Sequence, residues 1–333
     1  MSSAAKQNNV GIDLAGKNVA VAGGTQGIGA ATAIRFAQAG ADSVYIIGRN
    51  KEKADEVVRE LKRAGANAPD TKTYEFIQAD LSLVSNVQKV VEELKTKAGD
   101  KGIHYLITTQ GGPPNGSFSL TAEDHEKRFA IQHISRFGLA YLLAESKTLK
   151  EAWITVCAPS GTNSAAPDLD DLELKDQGMS WVKRFMKQAK QDGAIEDGLV
   201  SVRLFSLQAP GSRGLFLSTG DGSIEYPHLR AFHLFPGYVH TQAAANQGFP
   251  YPITLAQSIF GPLLTYTPLG NTPQSFADIP VYLAANPNAP TNRVGKSYFM
   301  NQRMKDVGEP KWCVAEGGRD RERLWEAFKG FYE

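Results

Sequence analysis

Val21-Ala22-Gly23-Gly24-Thr25-Gln26-Gly27-Ile28-Gly29 stands between an apolar run, Asn18 to Ala22, and a helical run, Ala30 to Ala39. Gly23 suits a tight turn, Gly27 lets the main chain approach a phosphate, and Gly29 lets the helix pack on the strand with no side chain between. The helix that follows offers unpaired amide N–H groups and the positive end of its dipole to an anion. A second β-type run, Ser43 to Ile47, closes a β-α-β unit. In that context the turn reads as a cradle for a dinucleotide pyrophosphate, contacted by Gly23, Thr25, Gln26, Gly27, Ile28 and Gly29.

The residues after the second strand select the nucleotide. An NAD-type site places Asp or Glu there to accept from the ribose 2′-hydroxyl, whereas this chain has Gly48-Arg49-Asn50. A guanidinium pairs with a 2′-phosphate that an acid would repel, so Arg49 and Asn50, with Gln26 donating nearby, point to NADP(H). A purely solvated Arg49 is the bland alternative.

Working outward, apolar strand-like runs alternate with helical ones, the sign of a parallel sheet covered on both faces. Strands are expected at Asn18–Ala22, Ser43–Ile47, Tyr74–Gln78, Tyr105–Thr109, Ile154–Cys157, Leu229–Phe235 and Lys296–Met300, with helices at Ala30–Ala39, Lys51–Ala64, Val84–Ala98 and Glu123–Lys147. The fold class is α/β: a Rossmann-type, doubly wound, seven-stranded parallel sheet, with residues 1–333 forming one domain. Ligands in such sheets bind beyond the carboxyl ends of the strands, so Gly23, Gln110, Ser160 and Pro236 should surround one cleft.

The glycine stretch resembles the cofactor motif of the short-chain dehydrogenase/reductase family. Ala79-Asp80-Leu81-Ser82 is similar to the family's adenine-side motif, which implies cofactor contacts from Asp80 and Leu81. Leu106 to Gly112 matches in position the family's Asn-Asn-Ala-Gly stretch, implying the same for Gln110, Gly111 and Gly112. Phe235-Pro236-Gly237-Tyr238-Val239-His240-Thr241 resembles the Pro-Gly segment beside the nicotinamide, implying Pro236, Gly237, Val239 and Thr241. The likeness covers residues 15 to 160 and 229 to 305. The stretches Gln132 to Arg136 and Asp168 to Leu174 are similar to a branch common among filamentous fungi, many of whose members serve secondary metabolism.

The resemblance also implies a catalytic tyrosine with a lysine four positions on, and none of the 11 tyrosines has one. After the fifth strand, Ala158-Pro159 stand where the family's hydroxyls sit, leaving Ser160 or Thr162 to serve. A helix expected from about Ile195 to Gln208 aligns Asp197 near the tyrosine position and Ser201 near the lysine position. Tyr226-Pro227-His228-Leu229-Arg230 is the tyrosine-containing alternative, discounted because Pro227 and the following strand oppose a helix. Gln132 replaces the family's asparagine on the long helix. Three residues remain as acid–base or anion-binding candidates: Ser160, His133, whose ordinary pKa suits proton transfer, and Arg136. Each has a plainer reading as a core or paired side chain. His228, His233 and His240 have no metal spacing, so no metal is assigned; no Gly-x-Ser-x-Gly elbow is present, which argues against a hydrolase.

Composition narrows the partners. Lys+Arg 36 against Asp+Glu 35 gives a net charge of +1 and no broad draw toward nucleic acid or membrane. No apolar run approaches the roughly 18 residues of a membrane span, and Met1 to Asn9 lacks the apolar core of a secretory leader. Cys157 and Cys313 make no disulfide framework. A cytoplasmic protein with a small, hydrophobic organic substrate is expected, and pairing into a homo-oligomer is open.

Two segments exceed a minimal member of the family. In the insert 165–228, an acidic stretch (Asp168, Asp170, Asp171, Glu173, Asp176) precedes Trp181, Phe185 and Met186, interleaved with Lys183, Arg184, Lys187 and Lys190. This pattern predicts an amphipathic helix with a basic face, packed on the core by its apolar side. The segment 243–272, rich in proline and aromatics, is expected to close over the cleft as a lid, implying a bulky, largely hydrophobic substrate.

Three functions are compatible with these residues. The first is an NADP(H)-dependent oxidoreductase acting on a carbonyl, enone or iminium with a non-standard acid–base set. The second is a non-redox cyclase, isomerase or dehydratase on the same scaffold, working by orientation and exclusion of water. The third is an NADP(H)-binding sensor without catalysis. The fold alone does not choose among them.

Overall fold

The computed structural model describes residues 2–65, 72–161, 165–201, 226–239, 261, 267 and 270–333. In chain order the elements are α1 (Ser2–Asn8), β1 (Asn18–Ala22), α2 (Gly27–Gln38), β2 (Ser43–Gly48), α3 (Lys51–Ala64), β3 (Thr73–Gln78), α4 (Val84–Ala98) and β4 (Ile103–Thr108). A short α5 (Lys127–Phe129) runs through a π turn (Ala130–Ile134) into α6 (Ser135–Glu145). Then come β5 (Leu149–Val156), α7 (Trp181–Ser201), β6 (Arg230–Leu234), β7 (Tyr238–Val239), β8 (Gly270–Asn271), α8 (Pro273–Ala285), β9 (Lys296–Met300), α9 (Lys311–Val314) and α10 (Arg319–Lys329). Thr162, His240, Thr241, residues 202–225 of the insert and most of the 243–272 segment lie outside the described residues.

Seven parallel strands are ordered β3-β2-β1-β4-β5-β6-β9. Strand order reverses between β1 and β4, which opens a crevice at their carboxyl ends. All five residues of β1 are buried, as expected of a strand covered on both faces. Ala20, Ala22, Leu106, Trp153 and Phe299 pack with α4, α6, α7 and α10. Val19, Val21, Ile107, Ile154 and Phe232 pack with α2, α3 and α8.

Several boundaries differ from the sequence reading, each for a local reason. β5 starts at Leu149 rather than Ile154, because Glu151 pairs with Lys17 and accepts from the Tyr105 hydroxyl (2.7 Å), so polar residues sit inside a strand. The long helix begins at Lys127 rather than Glu123; the Glu126 carboxylate accepts from Arg128 N (3.2 Å) and Phe129 N (2.7 Å) and caps it there. The expected helices at Trp181 and Ile195 are one continuous α7. Gly198 does not break it: a Cβ there would lie 2.5 Å from Leu324 and 2.6 Å from Trp312, so the glycine admits α9 and α10 at close range.

The orientation of α7 also corrects the sequence reading. Trp181, Val182 and Met186 face outward, while Arg184 is buried. Its guanidinium donates to the carbonyls of Leu174 and Asp176 and lies 4.5 Å from the centre of the Phe118 ring. The acidic stretch is drawn toward basic residues, with Asp168 and Asp171 near Lys187 and Asp170 paired with Arg323. No described helix is long and apolar enough to cross a membrane.

Candidate active site

The glycine turn is sterically closed to side chains. A Cβ on Gly29 would lie 2.3 Å from the Gly23 carbonyl oxygen; one on Gly23 (φ 78°) would lie 2.6 Å from Thr109 Oγ1 and 2.7 Å from Gln110 N. The turn thus brings the start of α2 against the end of β4. Gln26 precedes α2 in extended backbone, and its side chain makes no cap. Instead its Oε1 accepts from Lys53 Nζ (2.7 Å), a contact the sequence reading missed.

Thr25 lies against Gly48, where a Cβ would meet the threonine methyl at 2.7 Å, and Ile28 packs on the core. Arg49 is exposed at the end of β2. Asn50 caps α3, accepting from Lys53 N (2.8 Å), so its side-chain oxygen already has a structural partner. Asp80 Oδ1 accepts from Ser82 N (3.0 Å), and Leu81 is buried beside it.

At the other end of the cleft, Gln110, Gly111 and Gly112 follow β4. Gln132 Oε1 accepts from Gly112 N (3.2 Å), and its Nε2 donates to Cys157 Sγ (3.3 Å). Burial pushes the Cys157 thiol up to about 12. Pro236 O accepts from Asn271 Nδ2 (2.9 Å), Gly237 has φ 71°, and Val239 pairs with Asn271. Thr241 lies outside the described residues.

Each of the three expected catalytic side chains is buried and committed. Ser160, 1% exposed, donates to Met300 O (2.8 Å). Arg136, 2% exposed, donates to Gln110 O, Thr155 Oγ1 (3.0 Å) and Val156 O (2.9 Å). His133 lies between two carboxylates of α7: Nδ1 is 3.0 Å from Glu196 Oε1 and Nε2 is 3.3 Å from Asp192 Oδ1.

Burial works against charge on all three members of this bridge. It is outweighed by the Asp192 and Glu196 contacts, which raise His133. It is likewise outweighed by Arg128 and His133 at Asp192, held at about 2, and by Arg136 and His133 at Glu196, which is also lowered. Ionised carboxylates only accept, so the contacts favour the protonated ring, in which both nitrogens donate. The charges alternate along Arg128–Asp192–His133–Glu196–Arg136, and Thr155 Oγ1 donates to Glu196 Oε2 (2.9 Å).

The sequence alignment of α7 misses this pair. Asp197 binds elsewhere, at 2.7 Å from His233 Nδ1 and accepting Gly161 N (2.9 and 3.0 Å), while Ser201 Oγ contacts Glu309. Asp192 and Glu196, four residues apart, face the floor of the cleft instead. Two acids one helical turn apart beside the apolar Ala194, Ile195, Leu199 and Val200 were the available signal. Tyr226, in a turn before β6, is buried, and Arg230 opens that strand, donating to Ala284 O (2.7 Å).

The family sequence model described as short chain dehydrogenase matches residues 17–157. An oxidoreductase of Emericella nidulans is 33% identical over 233 residues, covering 70% of this chain; the chain spans only 61% of that relative's length. A putative daunorubicin C-13 ketoreductase of a Streptomyces species is 24% identical over 319 residues, covering 94% of this chain and 92% of its own. Among solved structures, MalC reductase/Diels–Alderase from Malbranchea aurantiaca superposes with a TM-score of 0.52 at 22% identity, covering 85% of this chain and 94% of its own. At that identity the likeness is one of fold.

Proposed function

Because the chain belongs to the short-chain dehydrogenase/reductase family, we propose that it is an NADP(H)-dependent oxidoreductase of a bulky, largely hydrophobic carbonyl, enone or iminium. The observation that carries this reading is the side-chain-free turn of Gly23 and Gly29 against the end of β4, with exposed Arg49 closing β2 beside it. The amides at the start of α2 bind the pyrophosphate, Arg49 takes the 2′-phosphate, and Gln110 to Gly112 with Pro236, Gly237 and Val239 flank the nicotinamide. When bound, the coenzyme supplies or accepts a hydride.

In this reading Ser160, His133 and Arg136 act from below the cleft. Arg136 grips the Gln110 carbonyl, and His133 ties α7 to the π turn that presents Gln132. Neither Ser160 nor His133 has a proton free for a substrate: Ser160 donates to Met300 O and both His133 nitrogens face carboxylates. That commitment favours acceptors needing little protonation, of which an iminium is the limiting case, because it takes hydride and becomes a neutral amine. The ketoreductase relative keeps a carbonyl substrate in view. We place the protein in the cytoplasm, acting on a small molecule.

The same commitment favours a second reading, a non-redox cyclase, isomerase or dehydratase that orients a reactive substrate beside a structural coenzyme. Incubating purified protein with NADPH and panels of ketones, enones and iminium ions, and following absorbance at 340 nm, separates the two. Substrate-dependent NADPH consumption supports the redox reading; product formation that persists with oxidised coenzyme or none supports the other.

A further inference from the structure

The helix that carries Gln132 and His133 is not regular. Between Ala130 and Ile134 it widens into a π turn, and Ser135 N donates five residues back, to Ala130 O. Such turns are rare, because the wider ring packs poorly across the helix axis, and they persist where neighbours hold them. Two side chains do so here, from opposite sides.

On the inside, Ser135 is fully buried. The wide turn takes the Ser135 amide away from Ile131 O, and the Ser135 hydroxyl supplies the replacement bond to that carbonyl (2.6 Å). The same oxygen accepts from Gln110 Nε2 (2.9 Å), so the turn is tied to the loop after β4. On the outside, Tyr332, almost 200 residues away in sequence, donates its hydroxyl to Ile134 O (2.9 Å). Its ring lies where Gly138 leaves space: a Cβ on that glycine would fall 2.0 Å from the tyrosine Cζ and Oη.

We propose that Ser135 and Tyr332 are positioning residues that hold the π turn open and so fix both Gln132 and His133 on their partners. Reverting to a regular turn removes one residue from the winding and rotates the preceding residues by about 100° relative to α6. Gln132 then cannot reach Gly112 N and Cys157 while His133 stays between Asp192 and Glu196. The consequence for coenzyme affinity rests on the proposed function; the consequence for His133 does not.

The test uses the full chain labelled with ¹⁵N-histidine, in the wild type and in Ser135→Ala, Tyr332→Phe and Gly138→Ala. The first two each remove one hydroxyl, and the third displaces the Tyr332 ring. His133, assigned by loss of its signal in His133→Gln, should titrate above the ordinary histidine range in the wild type. Its midpoint should drop by about one unit or more in each variant as the carboxylate bridge loosens. NADPH affinity, read by fluorescence titration, should weaken about tenfold, the scale of one buried hydrogen bond. A residue that merely adds stability would lower the melting temperature without moving the His133 midpoint. An unchanged His133 midpoint in all three variants overturns the proposal. Should the wild type bind no NADPH, the coenzyme assignment fails, and the histidine signal alone still decides this one.

Discussion

His133 Nδ1 lies 3.0 Å from Glu196 Oε1, and the pair is sealed from solvent, with the two side chains 1% and 0% exposed. A buried charge pair of this kind gains little over an apolar pair, but leaving one partner alone is costly. The imidazole thus shares with Arg128 and Arg136 the task of satisfying Asp192 and Glu196 of α7.

His133→Ala should destabilise the protein by about 2 kcal/mol or more at pH 6, because the truncation leaves a cavity and takes one buried charged hydrogen bond from each of Asp192 and Glu196, which keep Arg128 and Arg136 beside them. Urea denaturation measures this. A loss below about 1 kcal/mol would mean that the bridge is not formed in solution.

The pH dependence follows from the same contacts. His133 is raised in the folded state, so its contribution is complete below its unfolded value of about 6.5 and fades as pH rises through the higher folded value. Asp192 and Glu196 are lowered, so theirs is present above about 4.5 and is lost as pH falls through their folded values. Melting temperature should therefore be highest between about pH 4.5 and 6.5 for this cluster, and His133→Gln should flatten the alkaline decline. A wild-type and variant pair with the same alkaline slope would contradict this.

Cys157 should react slowly in the native protein. Burial pushes its thiol up to about 12 and that of Cys313 upward as well, so the nucleophilic thiolate is scarce at neutral pH. Iodoacetamide at pH 7.5 should label half-buried Cys157 far more slowly than a free thiol, and buried Cys313 not until denaturant is added. Native alkylation of Cys157 at the rate of a free thiol, read by mass spectrometry, would contradict the raised thiol.

Gly29→Ala should cost nucleotide affinity well before it costs the fold. Its new methyl meets the Gly23 carbonyl at 2.3 Å, and relief of that contact shifts the amides of the turn. NADPH binding should fall by about tenfold or more while far-ultraviolet circular dichroism is unchanged. Retained affinity would place the nucleotide elsewhere.

Much of the frame was legible in the chain because it rests on local chemistry. Asn18–Ala22, Lys51–Ala64, Val84–Ala98 and Lys296–Met300 have the boundaries their apolar patterns predict. The floor of the cleft was not legible, for two physical reasons. Asp192, Glu196, His133 and Arg136 are polar residues whose burial is satisfied only by one another, and no periodicity in either helix reveals a pairing across 60 residues. The π turn adds a residue that a regular helical wheel does not count, so Gln132 and His133 point where a 3.6-residue period does not send them. Arg184 misled for the opposite reason: among Lys183, Lys187 and Lys190 it reads as part of a basic surface, yet carbonyls of the acidic stretch receive it inside.

Isothermal titration of the wild type and Arg49→Glu with NADPH and NADH reads out the nucleotide site itself. The wild type should bind NADPH below millimolar concentration and NADH at least about tenfold more weakly, and the variant should lose the preference by losing NADPH. No heat with either nucleotide at about millimolar concentration, or an equal loss for both in Arg49→Glu, would contradict it.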